Sequence, residues 1–228
     1  MSTPLRARRD EEKEKRRKSI LDEAEKVIAR RGLEKAHFGE IAQRTRLSRS
    51  LVYVYFPTKD DLFHAVCERG LMQLQDRFKQ AAASHELGID QVMAMGRAYA
   101  AFSREEPLYF EMMTELQARE NASQPASAAE ESAERHGQGC LLHVAAALTR
   151  GLQDHSVHPG IGDPGATALS IWAFTHGLLQ ISAKKAVMLE TKFKLTQHDM
   201  VEHGFALLRS ALATGKAAAG GGDGRTLA

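Results

Sequence analysis

Residues 38–62 read FGEIAQRTRLSRSLVYVYFPTKDDL. Phe38, Ile41 and Ala42 fall on one side of a short helix, and a polar break follows at Arg46-Leu47. Ser48 is a favourable N-cap for a third helix, Arg49 to Tyr55, and Pro57 cannot continue it. Thr58 then caps a longer fourth helix whose first turn carries Asp60 and Asp61, well placed at a positive helix end. Two helices joined by so tight a turn, after an earlier amphipathic helix, spell a helix-turn-helix unit. Such a unit presents the N-terminal half of one helix to a DNA major groove while neighbouring helix ends hold the backbone.

Phosphates are held by cations, hydroxyls and free N–H groups at helix N-termini. The stretch supplies Arg44, Arg46, Arg49 and Lys59, then Ser48, Ser50, Tyr53 and Tyr55, and the starts of three helices. On a seven-residue helix Val52 and Phe56 face inward with Leu47. Tyr53 and Tyr55 are left on the flanks, where a phenol ring rests on protein and its hydroxyl reaches phosphate.

Outside this stretch helical spacing continues. Ile20, Leu21, Ala24, Val27 and Ile28 form the stripe of a first helix, with Arg30 and Arg31 in its last turn and Gly32 as its stop. Leu62, Phe63, Val66, Gly70, Leu71, Leu74 and Phe78 extend the buried stripe of the fourth. The fifth is read in IDQVMAMGRAYAAFSRE, the sixth in PLYFEMMTEL from Pro107, and the seventh in QGCLLHVAAALTRGL. Residues 119–130 read as a mobile loop, and HPGIGDPG is a break. The eighth, about 166–183, is apolar nearly all round, and a ninth is capped by Thr196. The apolar positions of these last two are spread too widely for one face, which predicts a homodimer seam with a second copy. The tail from 215 to 228 reads as disordered.

The fold class expected is therefore all-α. Three parts are expected: a DNA-binding domain over 14–74 with its motif at about 37–56, a helical domain over 85–214, and the tail. The 228 residues contain 43% hydrophobic side chains and carry a net charge of +2. That charge is uneven: residues 1–60 hold 16 Lys and Arg against 10 Asp and Glu, a net of +6, leaving −4 for the remainder. A basic first quarter suits a polyanion partner. Arg6, Arg8 and Arg9 extend that basic region as an arm toward phosphates or a minor groove. A charged N-terminus without an apolar leader, and no long apolar run, point to the cytosol and to no membrane span. Cys67 and Cys140 read as inert core thiols. His155 and His158 lack partners at ligand spacing, so neither metal nor cofactor is expected. No phosphate loop, nucleophile elbow or HExxH pair suggests an enzyme.

The segment GEIAQRTRLSRSLVYVYFPTKDDLFHAV resembles the DNA-binding domain of the TetR family of bacterial transcriptional regulators. The resemblance rests on Ile41-Ala42, Leu47-Ser48, Tyr53, Tyr55-Phe56, Lys59 and Asp61-Leu62, and it covers roughly residues 14–74. The stretch from Trp172 to Leu178 matches the family's dimerisation helices. The resemblance implies a dimeric repressor that leaves a pseudo-palindromic operator in double-stranded DNA when a small-molecule effector enters the C-terminal domain. By position it places Arg49 and Val54 at bases with Ser50 and Leu51 adjoining, and Ser48, Tyr53, Tyr55 and Lys59 at phosphates. His37 stands where a phosphate-binding Thr or Ser is commoner, and Gly39 and Gln43 lie on the outer surface of the second helix.

Three departures follow from that comparison. Arg46 occupies the usual turn glycine, Leu51 a frequent hydroxyl position, and Val54 has nothing with which to hydrogen-bond a base. Readout then leans on Arg49, whose bidentate grip on guanine contributes about 1–3 kcal/mol of discrimination. Phe102, Tyr109, Phe110, Met112, Met113, His143, Trp172 and His176 are the candidates for an effector pocket suited to an apolar or aromatic molecule. Each also fits plain core, and His176 fits a structural hydrogen bond. The competing reading is a helical adaptor with nonspecific polyanion or membrane-surface binding, although the stripe Ile20 to Ile28 contains no Trp or Phe to anchor in lipid.

Overall fold

The computed structural model describes residues 4–117 and 127–215. Among these the regular elements are helical, apart from one isolated antiparallel bridge between Val157 and Ala213. The expected tail from residue 216 and residues 119–126 of the expected loop lie outside the described residues. Two compact units divide the chain: Met1–Met72 with Glu106–His136, and Gln73–Glu105 with Gly137–Ala228.

In the first unit α1 runs from Pro4 to Arg31. Ile20, Leu21, Ala24, Val27 and Ile28 are all at most 3% exposed, so the apolar stripe is the buried face. The charged N-terminal half is helical as well, not a separate arm. Arg8 pairs with Glu12, and Lys15 with Glu11, at i,i+4 spacing, the spacing at which opposite charges favour an exposed helix. Gly32, at φ 77°, ends the helix, with its N–H on the Ile28 carbonyl.

Helix α2 spans Phe38–Thr45 and α3 spans Arg49–Tyr55. Phe38, Ile41 and Ala42 are buried, as are Val52 and Phe56, while Leu47 is half-buried. Ser48 Oγ accepts the Leu51 N–H at 3.2 Å, the N-cap bond expected of a serine there. The turn between the helices passes through Arg46 at φ 58°, the left-handed region. For a side chain with a Cβ this costs roughly 1–2 kcal/mol.

Helix α4, Lys59–Ala83, contributes residues to both units. Thr58 and Asp61 close a reciprocal cap at its start: the Thr58 N–H and hydroxyl donate to Asp61 Oδ2, and Thr58 Oγ1 accepts the Asp61 N–H. The first unit is completed by α6, Pro107–Gln117, and by α7 up to His136. Helix α7 spans Ala128–Gln153, so its first three residues occupy the end of the expected loop. Ser127 explains the early start: Ser127 Oγ accepts the Glu130 N–H and Glu130 accepts the Ser127 N–H, a reciprocal cap in a stretch otherwise read as small and polar.

The second unit holds the end of α4, α5 (Gly88–Glu105), the rest of α7, a 3-10 turn at Pro159–Ile161, α8 (Pro164–Lys184), a short α9 (Ala186–Met188) with a π turn at Leu189–Phe193, and α10 (Gln197–Leu212). Helices α8 and α10 approach closely at Gly204, where an added Cβ would lie 2.4 Å from Leu178 Cδ2. Both keep apolar side chains in solvent: Leu169, Phe174 and Ile181 on α8, and Leu207 on α10.

The strain at Arg46 has a measurable consequence. Arg46→Gly should raise the unfolding free energy by about 1 kcal/mol in chemical denaturation. A loss of stability would mean that the arginine side chain contributes more than its backbone costs.

Candidate DNA interface and the buried core of the second unit

Burial of Val52 and Phe56 turns the opposite side of α3 to solvent. Val54 is 72% exposed and Tyr53 41%, and Arg49 and Ser50 are also exposed. Tyr53 lies with its ring 4.7 Å from that of Phe38, tilted by 59°, so its body rests on α2. Tyr55 and Leu51 are half-buried. Ser48 and Ser50 hydroxyls lie 3.0 Å apart at the start of the helix. His37, the residue before α2, gives that helix no side-chain cap and is exposed. Gly39 has open space where a Cβ would stand, and Gln43 is exposed on the same helix. The candidate contact residues thus run from the start of α2 and Gln43, along the whole of α3, to the first residue of α4.

Two cations of this surface are engaged by the protein itself. Arg49 donates to the Tyr53 hydroxyl at 3.3 Å, with its guanidinium carbon 5.7 Å from the ring centroid. Lys59 donates to the Glu34 carbonyl at 2.8 Å and sits 5.1 Å from the Phe63 ring centroid. Both are exposed-edge contacts of modest strength, of the kind worth about 0.5–1 kcal/mol, which a phosphate or a base edge can replace.

Arg44 behaves otherwise than its spacing suggested. Instead of reaching outward, it pairs with Glu23 at 3.2 Å and with Glu40 at 3.6 Å. Glu40 also receives Arg30, and Arg31 at 2.7 Å. Lys26, at 2.7 Å, and Arg44 hold the Glu23 carboxyl below the usual carboxylate range. Charge counting along the chain missed this cluster. The Glu40-to-Arg44 spacing of four was its one visible sign.

The eight candidate pocket residues separate between the units. Tyr109, Met112 and Met113 are buried in the first unit, and Phe110 is half-buried there. Tyr109 fills the space above Gly70, where a Cβ would lie 2.7 Å from the Tyr109 Cβ. Burial, together with the neighbouring Glu25 carboxylate, pushes its phenol up to about 12. In the second unit Phe102 is fully buried beneath Arg77, 5.3 Å from its ring centroid, and His143 is half-buried. His176 and Trp172 stand together, with ring centroids 5.8 Å apart.

His176 is the centre of a polar group inside that unit. Its Nδ1 lies 2.7 Å from the hydroxyl of buried Tyr99, and its Nε2 lies 3.1 Å from the Gln180 amide nitrogen. With the amide in this orientation Gln180 donates to Nε2, so Nδ1–H donates to the phenol oxygen. Burial holds the imidazole below its ordinary value of 6.5. Tyr99 and Gln180 escaped the sequence reading, although the four-residue spacing of His176 and Gln180 was visible.

The remaining reactive groups are quiet. Burial pushes the Cys140 thiol up to about 12, and Cys67 is buried too, an environment that disfavours the reactive thiolate. His158 accepts the Gly160 N–H on its ring nitrogen. Among the described residues no group of three or more His, Cys, Asp or Glu is arranged around a metal-sized centre. No described helix is long and apolar enough to cross a membrane.

The fold is that of a helix-turn-helix protein with a second, predominantly helical unit among the described residues. The family model described as bacterial regulatory proteins, tetR family, matches residues 20–66, and the tetracyclin repressor-like C-terminal domain matches residues 92–208. The chain therefore belongs to the TetR family and is a DNA-binding transcriptional regulator with a tetracyclin repressor-like C-terminal domain.

A Bacillus subtilis (strain 168) relative, the uncharacterized HTH-type transcriptional regulator YfiR, is 34% identical over 61 residues. That match covers 27% of this chain and 30% of the relative. Among solved structures, a protein of unknown function from Rhodococcus sp. RHA1 superimposes with TM-score 0.66 at 18% identity, covering 87% of this chain and 95% of that one. FadR from Bacillus subtilis in complex with stearoyl-CoA gives 0.62 at 16% identity, over 85% and 97%. A Saccharomonospora viridis protein in complex with choline gives 0.64 at 16%, over 87% and 97%. At these identities the likeness is one of fold.

The environment of His176 predicts a pH dependence. The unfolded imidazole takes up its proton near 6.5, whereas the buried one resists it. The unfolded state then binds more protons below that value, so stability present above 6.5 is lost as the pH falls. NMR titration should place the His176 midpoint below 6.5. A midpoint at or above 6.5 would contradict the neutral, doubly hydrogen-bonded ring.

Proposed function

We propose that the protein is a homodimeric, sequence-specific transcriptional repressor, released from a pseudo-palindromic operator by a small apolar or aromatic effector. The observation that carries the proposal is the surface of α3: its apolar side is buried, while Arg49, Ser50, Tyr53 and Val54 are presented outward between capped helix starts. In this reading Arg49 and Val54 meet base edges, with Ser50 and Leu51 beside them. Ser48, Tyr53, Tyr55 and Lys59 meet phosphates, and His37, Gly39 and Gln43 border the contact. Residues 14–74 carry DNA binding, and residues 85–214 carry dimerisation and the effector.

The dimer is supported by the exposed Leu169, Phe174 and Ile181 of α8 and Leu207 of α10, apolar area that a second copy would cover. A dimer of this kind reads two half-sites about one helical turn apart. For the effector, the support is the stearoyl-CoA and choline complexes of similarly folded proteins and the aromatic and methionine content of the candidate residues. Of these, Trp172 and His176 stand together in the second unit.

Selection of bound duplexes from a random pool with the full-length protein should recover a two-fold symmetric site. Recovery of no motif, with affinity collapsing as salt rises, would leave only nonspecific polyanion binding. On the recovered site, Tyr53→Phe and Lys59→Ala should weaken binding to all sequences alike, and Arg49→Ala should relax preference at one base pair by about 1–3 kcal/mol. Equal loss of preference in all three would refute this division of roles. Phe174→Arg should yield a monomer by light scattering and reduce operator affinity; an unchanged dimer would move the seam elsewhere.

A further inference from the structure

Beside the candidate DNA-binding helices, the first unit pairs a group of its cations with its own carboxylates. Arg30 and Arg31 end α1, and Arg44 lies in the last turn of α2. All three converge on one carboxylate, Glu40, with Arg31 Nε at 2.7 Å from Oε2, Arg44 Nε at 3.6 Å from Oε1, and Arg30 also on Oε1. Glu23 takes the second contact of Arg44 at 3.2 Å. Glu40 is only one-fifth exposed, whereas Arg30 and Arg31 are about half exposed. The acid is therefore the enclosed member of the cluster, and the arginines form its rim. Glu40 also follows Gly39 directly, on the helix whose start borders the candidate DNA surface.

We propose that Glu40 is a specificity-determining residue of the DNA interface that acts by withholding charge. It holds Arg30, Arg31 and Arg44 away from phosphates and so suppresses sequence-independent binding, leaving discrimination to α3. This rests on the DNA-binding reading above. The physical ground is that nonspecific affinity grows with the number of phosphates that cations neutralise, whatever the base sequence. Cations spent on an internal carboxylate add nothing to that number. Their release would strengthen binding to any duplex, and the ratio of specific to nonspecific affinity would fall. A purely structural role for Glu40 predicts the reverse sign, since loss of a scaffold contact weakens every complex.

The test uses the full-length protein and a fixed duplex of arbitrary sequence, with affinity measured from 50 to 200 mM salt. Glu40→Gln keeps the side-chain shape and removes the charge. If two arginines become available, the slope of log affinity against log salt should steepen by about two, equivalent to a gain of roughly tenfold at 50 mM relative to 200 mM. Adding Arg30→Gln and Arg31→Gln to that variant should cancel the gain. The same two arginine substitutions in the wild-type background should leave the slope unchanged, because Glu40 already holds those charges. That second comparison can still overturn the proposal even if Glu40→Gln proves unfolded by circular dichroism. A folded Glu40→Gln protein with an unchanged or shallower slope would overturn the proposal. So would a slope that becomes shallower by one or two when Arg30 and Arg31 are neutralised beside an intact Glu40. A wild-type protein that binds no duplex even at 50 mM salt would instead overturn the DNA-binding reading itself.

Discussion

Seven residues are too few to make a helix that stands alone in water, because the cost of nucleation is not recovered until a helix is about twice that length. Helix α3 nevertheless has to be rigid, since it carries Arg49, Tyr53 and Val54 at its surface. Its order comes from the burial of Val52 and Phe56, from the Ser48 cap at one end and from Pro57 beyond the other. Fully burying a Val or a Phe contributes about 1.5–3 kcal/mol each, enough to offset ordering of so short a segment when the flanking turns are already set. Helix α2 is the other side of that bargain: it packs on α3, with the Phe38 ring against that of Tyr53.

The same geometry explains why the outward side chains rest on the protein. Tyr53 lies against Phe38, Arg49 over Tyr53, and Lys59 against the Glu34 carbonyl. Each side chain loses rotamer freedom in the free protein, so less remains to be lost when it meets a ligand. The arginines around Glu40 are held more firmly, by a carboxylate, and so belong electrostatically to the junction of α1 and α2. The count of sixteen Lys and Arg in the first sixty residues thus overstates the unpaired cations there, whereas the net of +6 already includes Glu23 and Glu40.

The second unit combines a dense apolar interior with one polar group, Tyr99, His176 and Gln180. Buried polar groups are tolerated when their hydrogen bonds are made, and both ring nitrogens of His176 have a partner. Such a group has directional requirements that a purely apolar core lacks, which ties α5 to α8 in one register. The neighbouring ring of Trp172 completes a local environment in which a neutral imidazole is favoured over a charged one.

The bounds of α2 and α3 were legible in the sequence because they depend on local chemistry. Ser48 can cap, Pro57 cannot continue a helix, and Phe38, Ile41 and Val52 repeat at helical spacing. The buried stripes of α1 and α4 were legible for the same reason. The family followed from residues at fixed separations, which constrain one another through a shared turn. The start of α7 at Ala128 was less visible, since a cap between Ser127 and Glu130 stood inside a run of small polar residues. Tertiary structure alone decided that Arg44 turns toward Glu40 and Glu23, that Tyr109 fills the space over Gly70 while Trp172 joins His176 in the other unit, and that Tyr99 is the partner of His176. These outcomes depend on residues as far as 77 positions apart. Periodicity says which side of a helix faces inward, but only the packing of one helix on another says what it meets there.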